Sequence, residues 1–142
     1  MLKQAKAITL LEILSVVIII GILAALALPR FGMMKERALD KEAKANLKLI
    51  QAAEKIYRME YLVYRACGDT GEVNQDLKLF LPAGGDRNWT YRTETTDGSD
   101  LDAFATRESP PTGWDREFMI DESSEEPCCV SGNCPPDIPP CS

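Results

Sequence analysis

The sequence predicts an α+β protein. A long N-terminal helix, its first half suited to a membrane and its second half an amphipathic stalk, packs on a small antiparallel β-sheet head that ends in a Cys/Pro-rich tail. Three observations carry this. Residues 8–28 form an almost unbroken apolar run, and the apolar residues after it recur at helical spacing to residue 62. Three short runs beyond residue 85 have strand character and are separated by turn-forming residues. Four of the five cysteines and four of the nine prolines fall within residues 128–141.

Taken in order, residues 1–7 are a short leader with Lys3 and Lys6 and no acid. Residues 8–28 are apolar except for Thr9, Glu12 and Ser15, close to the ~20 residues that cross a bilayer core. The basic flank tends to stay in the cytoplasm and sends the rest of the chain outward. The segment 8–29 is therefore read as a transmembrane helix, and 30–62 as its continuation. Leu39, Ala43, Leu47, Ile50, Ala53, Tyr57 and Tyr61 recur at three- and four-residue steps, flanked by Ala45, Leu49, Ala52 and Ile56. Asp40 precedes Lys44, and Glu54 precedes Arg58, by four residues, the orientation that supports a helix surface. Pro29 removes one backbone donor and Gly21 loosens the run above it, which predicts a bend or a melted stretch between them.

The head spans 63–142. Cys67-Gly68-Asp69-Thr70-Gly71 reads as the end of the helix, followed by a loop with one apolar piece at 77–81. Strands are expected at Trp89–Glu94, 101–107 and Arg116–Asp121, with turns at 97–99 and 109–113. A sheet laid on the stalk would bury Trp89, Tyr91, Phe104 and Phe118. The prolines of 128–141 predict a stapled loop without regular secondary structure. Cys67, Cys128, Cys129, Cys134 and Cys141 are the disulfide candidates. Two bridges among five cysteines can form in 15 ways, and sequence does not choose between them. A four-cysteine zinc site is the alternative, but paired CxxC spacing is missing.

Charge is divided unevenly. Residues 1–62 hold ten Lys/Arg against six Asp/Glu, a net of +4, and 63–142 hold six against sixteen, a net of −10. A head this acidic repels phosphate backbones, so no nucleic-acid partner is expected. There is no histidine, which removes the commonest general base and metal ligand. No GxSxG, HExxH, P-loop or GxGxxG pattern occurs, so neither catalysis nor a cofactor is expected. Asn88-Trp89-Thr90 matches a glycosylation sequon, a three-residue pattern of little weight.

The apolar segment admits three readings: a plain anchor, a secretory signal cut near Ala25-Leu26-Ala27, or something that uses Glu12. A carboxylate inside an apolar run costs insertion energy, about 2.5–3.5 kcal/mol at the bilayer centre and less near its edge. The first two readings give that charge no task. Ala7-Ile8-Thr9-Leu10-Leu11-Glu12, the run behind it and Pro29 resemble the prepilin signal shared by type IV pilins and type II secretion pseudopilins.

The resemblance implies cleavage by a prepilin peptidase after Ala7, methylation of the new amine on Ile8, and Glu12 as the fifth mature residue. It implies that Glu12 pairs with the neighbouring subunit's first amine in a filament core. Gly21 and Pro29 stand where the family's helix carries its glycine and proline. The family usually has glycine and phenylalanine where this chain has Ala7 and Ile8, which predicts slower cutting. Many pilins close a C-terminal loop with a disulfide, similar in placement to this tail. The family's major pseudopilins bind calcium in the head, which makes Asp97, Asp100 and Asp102 weak calcium candidates, although their run does not fit an EF-hand.

The function read from the sequence is thus a structural subunit of a type IV pilus-like filament. It inserts in the inner membrane, is assembled on a membrane platform and is exported as a self-polymer. The alternative is the major pseudopilin of a type II secretion system, in a periplasmic filament. From another class comes a secreted, disulfide-rich binding domain released by signal peptidase.

Overall fold

A computed structural model describes residues 9–85 and 87–141 of the chain. Contacts divide it into two compact units, Met1–Arg37 and Ala38–Ser142. Helix α1 (Leu10–Tyr61) supplies residues to both.

In the first unit the backbone is helical through Gly21 and onward through position 29. Of the bend or melted stretch expected between Gly21 and Pro29, the bend is found, with the pieces Leu10–Leu26 and Phe31–Tyr61 meeting at 46°, and the melting is not. One missing N–H removes a single bond, whereas opening a long helix creates two new ends that must each be nucleated again.

In the second unit α1 ends at Tyr61. Leu62 adopts a left-handed conformation (φ 64°), and its N–H closes on the Arg58 carbonyl at 2.8 Å. A short helix α2 (Thr70–Asp76) follows where the sequence reading placed only a break and a loop. Its start is written as Asp69-x-x-Glu72. The Asp69 carboxylate accepts from the Gly71 and Glu72 N–H groups at 2.6 and 3.0 Å, and Glu72 accepts from the Gly68 N–H at 2.6 Å. The glycines at 68 and 71 hid this signal.

Four strands make one antiparallel sheet in sequence order: β1 (Trp89–Glu94), β2 (Asp102–Arg107), β3 (Arg116–Asp121) and β4 (Cys128–Gly132). β1 and β3 have the expected bounds, β2 begins one residue late, and β4 corrects the reading of the tail as wholly irregular. The reason is positional. Every proline of the tail lies beyond Gly132, so none removes a donor from 128–132. Gly132 (φ 86°) is required where it stands, because a Cβ there would lie 2.2 Å from the Asp115 carbonyl.

Both sheet edges are covered by the chain itself. On the β1 side, Cys67 and Thr93 exchange backbone bonds of 3.0 and 2.9 Å, and the Tyr91 N–H donates to Thr70 Oγ1 at 2.9 Å. On the β4 side, the Cys129 N–H donates to the Pro139 carbonyl at 2.8 Å, and the Cys141 N–H donates to the Cys129 carbonyl at 3.1 Å.

The core joins the inner stalk face (Leu39, Ala43, Leu47, Ile50) to one sheet face (Trp89, Tyr91, Ala103, Ala105, Phe118, Ile120, Cys129), with Val73 and Ile138 closing its ends. Three of the four aromatics expected under the stalk are in this core, whereas Phe104 is buried on the other sheet face, beneath the Arg92 guanidinium 4.1 Å from its ring centre. Polar pins fix the stalk to the sheet. Asn46 donates to Tyr91 Oη at 2.8 Å, Gln51 donates to the Ser124 carbonyl at 2.9 Å, and the Arg116 guanidinium donates to Asp40 at 2.6 Å out of solvent. Burial pushes the Tyr91 hydroxyl up to about 12.

Glu54 is also fully buried. Its Oε2 accepts the Arg65 N–H at 2.9 Å and its Oε1 has no partner among the described residues. Burial raises its pKa above the usual carboxylate value, and the Arg65 N–H works against that. The folded state therefore holds this proton more tightly than the unfolded chain does. The resulting stabilisation is complete below the ordinary value of 4.5 and is lost as pH rises through the folded one. Glu54→Gln is expected to flatten that slope. The melting temperature of the variant should gain on the native chain between pH 4.5 and pH 7, and a constant difference across that range would disprove the assignment.

Candidate assembly surface

The residues with a sequence-assigned role divide between the two units. Ala7 and Ile8, the expected processing and methylation positions, lie outside the described residues, as does the rest of the leader. Thr9 is the first one described. Its Oγ1 and carbonyl both receive the Glu12 N–H, at 3.3 and 3.1 Å. Thr9-Leu10-Leu11-Glu12 therefore starts α1 with the Thr-x-x-Glu pattern that satisfies orphan donors, a local role the sequence reading did not assign to Thr9. Ser15 Oγ donates back to the Glu12 carbonyl at 2.8 Å, so its hydroxyl is spent inside the helix. The Glu12 carboxylate has no partner among the described residues. It sits in the first turn, where the positive helix end favours an anion by about 0.3–1 kcal/mol.

Every large apolar side chain described from Leu10 to Leu26 is exposed, Leu10 at 85% and Leu26 at 70%. Gly21 has open space around it. Among the described residues no single helix is long and apolar enough to cross a membrane. The pieces Leu10–Leu26 and Phe31–Tyr61 together meet the test by length and composition. An apolar surface of this extent, unbroken around the helix, needs a covering medium or partner.

In the second unit, Cys128 bonds to Cys141 and Cys129 to Cys134, leaving Cys67 as a buried thiol pushed up to about 11, chiefly by burial. The shorter loop nests inside the longer one. All four tail cysteines are thereby spent, which removes the zinc alternative.

Asp97, Asp100 and Asp102 occupy the turn before β2 and the first position of that strand. Asp100 accepts from the Thr96 N–H and Oγ1, both at 2.7 Å, and these bonds hold its pKa below the usual range. Asp97 accepts the Ser99 N–H at 3.1 Å. Asp102 is raised, by burial first and then by the neighbouring carboxylates Asp100, Asp121 and Glu122. These bonds build a turn. Among the described residues no group of three His, Cys, Asp or Glu is arranged to hold a metal.

No family model matches the chain, and no solved structure matches it. Two curated proteins do. The chain is 46% identical over 99 residues to the type IV major pilin protein PilA of Myxococcus xanthus, covering 54% of this chain and 44% of that one. It is 39% identical over 62 residues to the type II secretion system core protein G of Pseudomonas aeruginosa, covering 44% of each. The chain thus spans less than half the length of these relatives. This chain, with an α+β fold led by a long N-terminal helix, is thus similar in sequence to a type IV major pilin and to a type II secretion core protein.

Proposed function

We propose that this chain is the structural subunit of a type IV pilus-like filament, processed by a prepilin peptidase and polymerised through its N-terminal helix. One observation carries the reading. The surface of Leu10–Leu26 is apolar on all sides and holds a single carboxylate, Glu12, in its first turn. A lipid bilayer covers the apolar part but offers that charge nothing. A bundle of identical helices covers both, because each newly cut chain supplies an amine at Ile8. On this reading the subunit waits in the inner membrane, meets an assembly platform there and leaves as an extracellular polymer with no catalytic role. The similarity to secretion protein G favours a second reading, a pseudopilin in a periplasmic filament. It uses the same helix in the same way.

Processing between Ala7 and Ile8, with one added methyl on the new amine, is the expected state of the protein in its own host. Intact mass and N-terminal sequencing of the chain from sheared filaments and from membranes check it. A mature chain beginning near Leu28 would show signal-peptidase release and a secreted domain instead. Filaments at the cell surface, as opposed to subunits confined to the periplasm, separate pilus from pseudopilus.

A further inference from the structure

Residues 62–68 cross the β1 edge as a strap. The strap leaves α1 at Leu62, a non-glycine residue in the left-handed region (φ 64°), and ends at Gly68 before α2. Along it Tyr64 and Cys67 are buried, whereas Val63, Arg65 and Ala66 are exposed. Its centre is tied to Thr93 of β1, whose hydroxyl donates its one proton to the Arg65 carbonyl at 2.7 Å and accepts the Cys67 N–H at 3.0 Å. Glu54 of α1 completes the junction from below. Its Oε2 takes the Arg65 N–H, and its buried Oε1 is without a hydrogen-bond partner. A neutral acid tolerates that site, but an ionised carboxylate with one donor for two oxygens does not. Among the described residues no cation pairs with it. Arg65 sends its guanidinium outward to Asp76 of α2 at 2.7 Å, and Arg58 of α1 donates to Tyr64 Oη at 3.1 Å and lies over that ring. Tyr57 and the Cys67 thiol are the other titratable groups nearby, and Asp76 opposes ionisation.

We propose that the strap is a pH-operated flap: ionisation of Glu54 frees residues 62–68 from β1 and bares the Thr93 backbone groups to a further strand. The flap belongs to the head and is independent of the filament reading. Its direction is fixed by where the proton is held. Closed, the carboxyl is buried and keeps its proton above the ordinary carboxylate range; open, it meets water and loses the proton at the ordinary value. Opening is therefore harder at low pH and easier as pH rises through the closed-state value. The chain has no histidine to supply a competing response. Asp102 is raised as well, among Asp100, Asp121 and Glu122, but its carboxylate makes no hydrogen bond or ion pair with the strap among the described residues.

Cys67 reports the flap, because the four tail cysteines are bridged and its own thiol is buried in the strap. A small neutral maleimide is added to the full chain in detergent at pH 5 and at pH 8. Each labelling rate is divided by that of the urea-unfolded chain at the same pH, which cancels the ionisation of the thiol itself. The normalised rate is expected to be about tenfold higher at pH 8. It should hardly respond to low urea, since a strap uncovers little surface. Glu54→Gln, which cannot ionise, is expected to label equally at both pH values, and Asp102→Asn is expected to keep the rise. A flat normalised rate in the native chain overturns the proposal, as does a rise that survives Glu54→Gln or vanishes with Asp102→Asn. Labelling that grows with urea as steeply as global unfolding also overturns it. The pH and urea arms on the native chain, with Asp102→Asn, decide the matter should Glu54→Gln fail to fold.

Discussion

Glu12→Ala abolishes filament formation while the subunit remains folded and inserted: this is the expected result of largest effect. Glu12 lies in the first turn of α1, in the Met1–Arg37 unit, and the sheet and its core belong to the other unit. Head stability therefore does not depend on it. Membrane entry improves, if anything, because a carboxylate in an apolar helix costs insertion energy. Helix initiation survives as well, since the Glu12 N–H bonds to Thr9 through the backbone amide, which alanine keeps. On the proposed filament reading, what disappears is the partner for a neighbour's Ile8 amine. An uncompensated charge buried in a helical bundle costs about 3–5 kcal/mol, well over a hundredfold in the assembly equilibrium at about 1.4 kcal/mol per tenfold. Glu12→Asp keeps the charge on a shorter arm and is expected to assemble poorly but measurably. Filament yield beside membrane subunit level, for both variants, decides the matter. Normal filaments from Glu12→Ala would end the subunit-pairing role.

Phe118→Ala is the expected result of largest effect on the head. Phe118 is fully buried in β3, opposite Ala105 on β2 and Cys129 on β4, with the Trp89 ring 5.2 Å away. Its lateral neighbours cannot expand into the vacated space: Ala105 is a single methyl, and Cys129 is tied to Cys134. Such a truncation costs about 3–5 kcal/mol, a large share of the roughly 5–15 kcal/mol that holds a domain folded. At about 4–8 °C per kcal/mol for a domain of this size, the melting temperature should fall by some 12 °C or more. Tryptophan fluorescence during urea unfolding of the full chain in detergent measures it, with Phe118→Leu as a milder companion. A loss under about 0.5 kcal/mol, the usual scale of an ordinary surface change, would mean that Phe118 does not sit at the junction of helix and sheet.

The parts of this fold that sequence revealed are those where one period persists over many residues. The stalk declares itself because Ala43, Leu47 and Ile50 keep helical spacing. Trp89 with Tyr91, and Phe118 with Ile120, alternate over strands bounded by clear turns. β4 escaped because its inward residue is Cys129, which packs as a small hydrophobe but reads in sequence as a disulfide partner among prolines. α2 escaped because seven residues of helix held by Asp69 are too few for any period to show. The pairing of the cysteines depended on which backbone segments meet in space, and only the register of β3 with β4 and the return of 138–141 decide that. On the assembly side Glu12 was legible as a charge out of place. The exposure of Leu49 and Ile56 was not, since both look like flanks of the buried face until the structure separates the two.

The covered sheet edges bear on how such a protein survives being crowded. An uncovered strand offers a row of free N–H and C=O groups to any neighbour, and identical neighbours packed side by side are the circumstance in which that becomes dangerous. Here the segment around Cys67 shields β1, and the returning tail, tied at both ends of its loop, shields β4. The head is left with no ready backbone template at either side. On the proposed filament reading, copies can gather at high local concentration through their helices without the sheets adding to one another, so growth stays on one track. The tail's bridges then act as a lock on the sheet's last open side as well as a staple for the head.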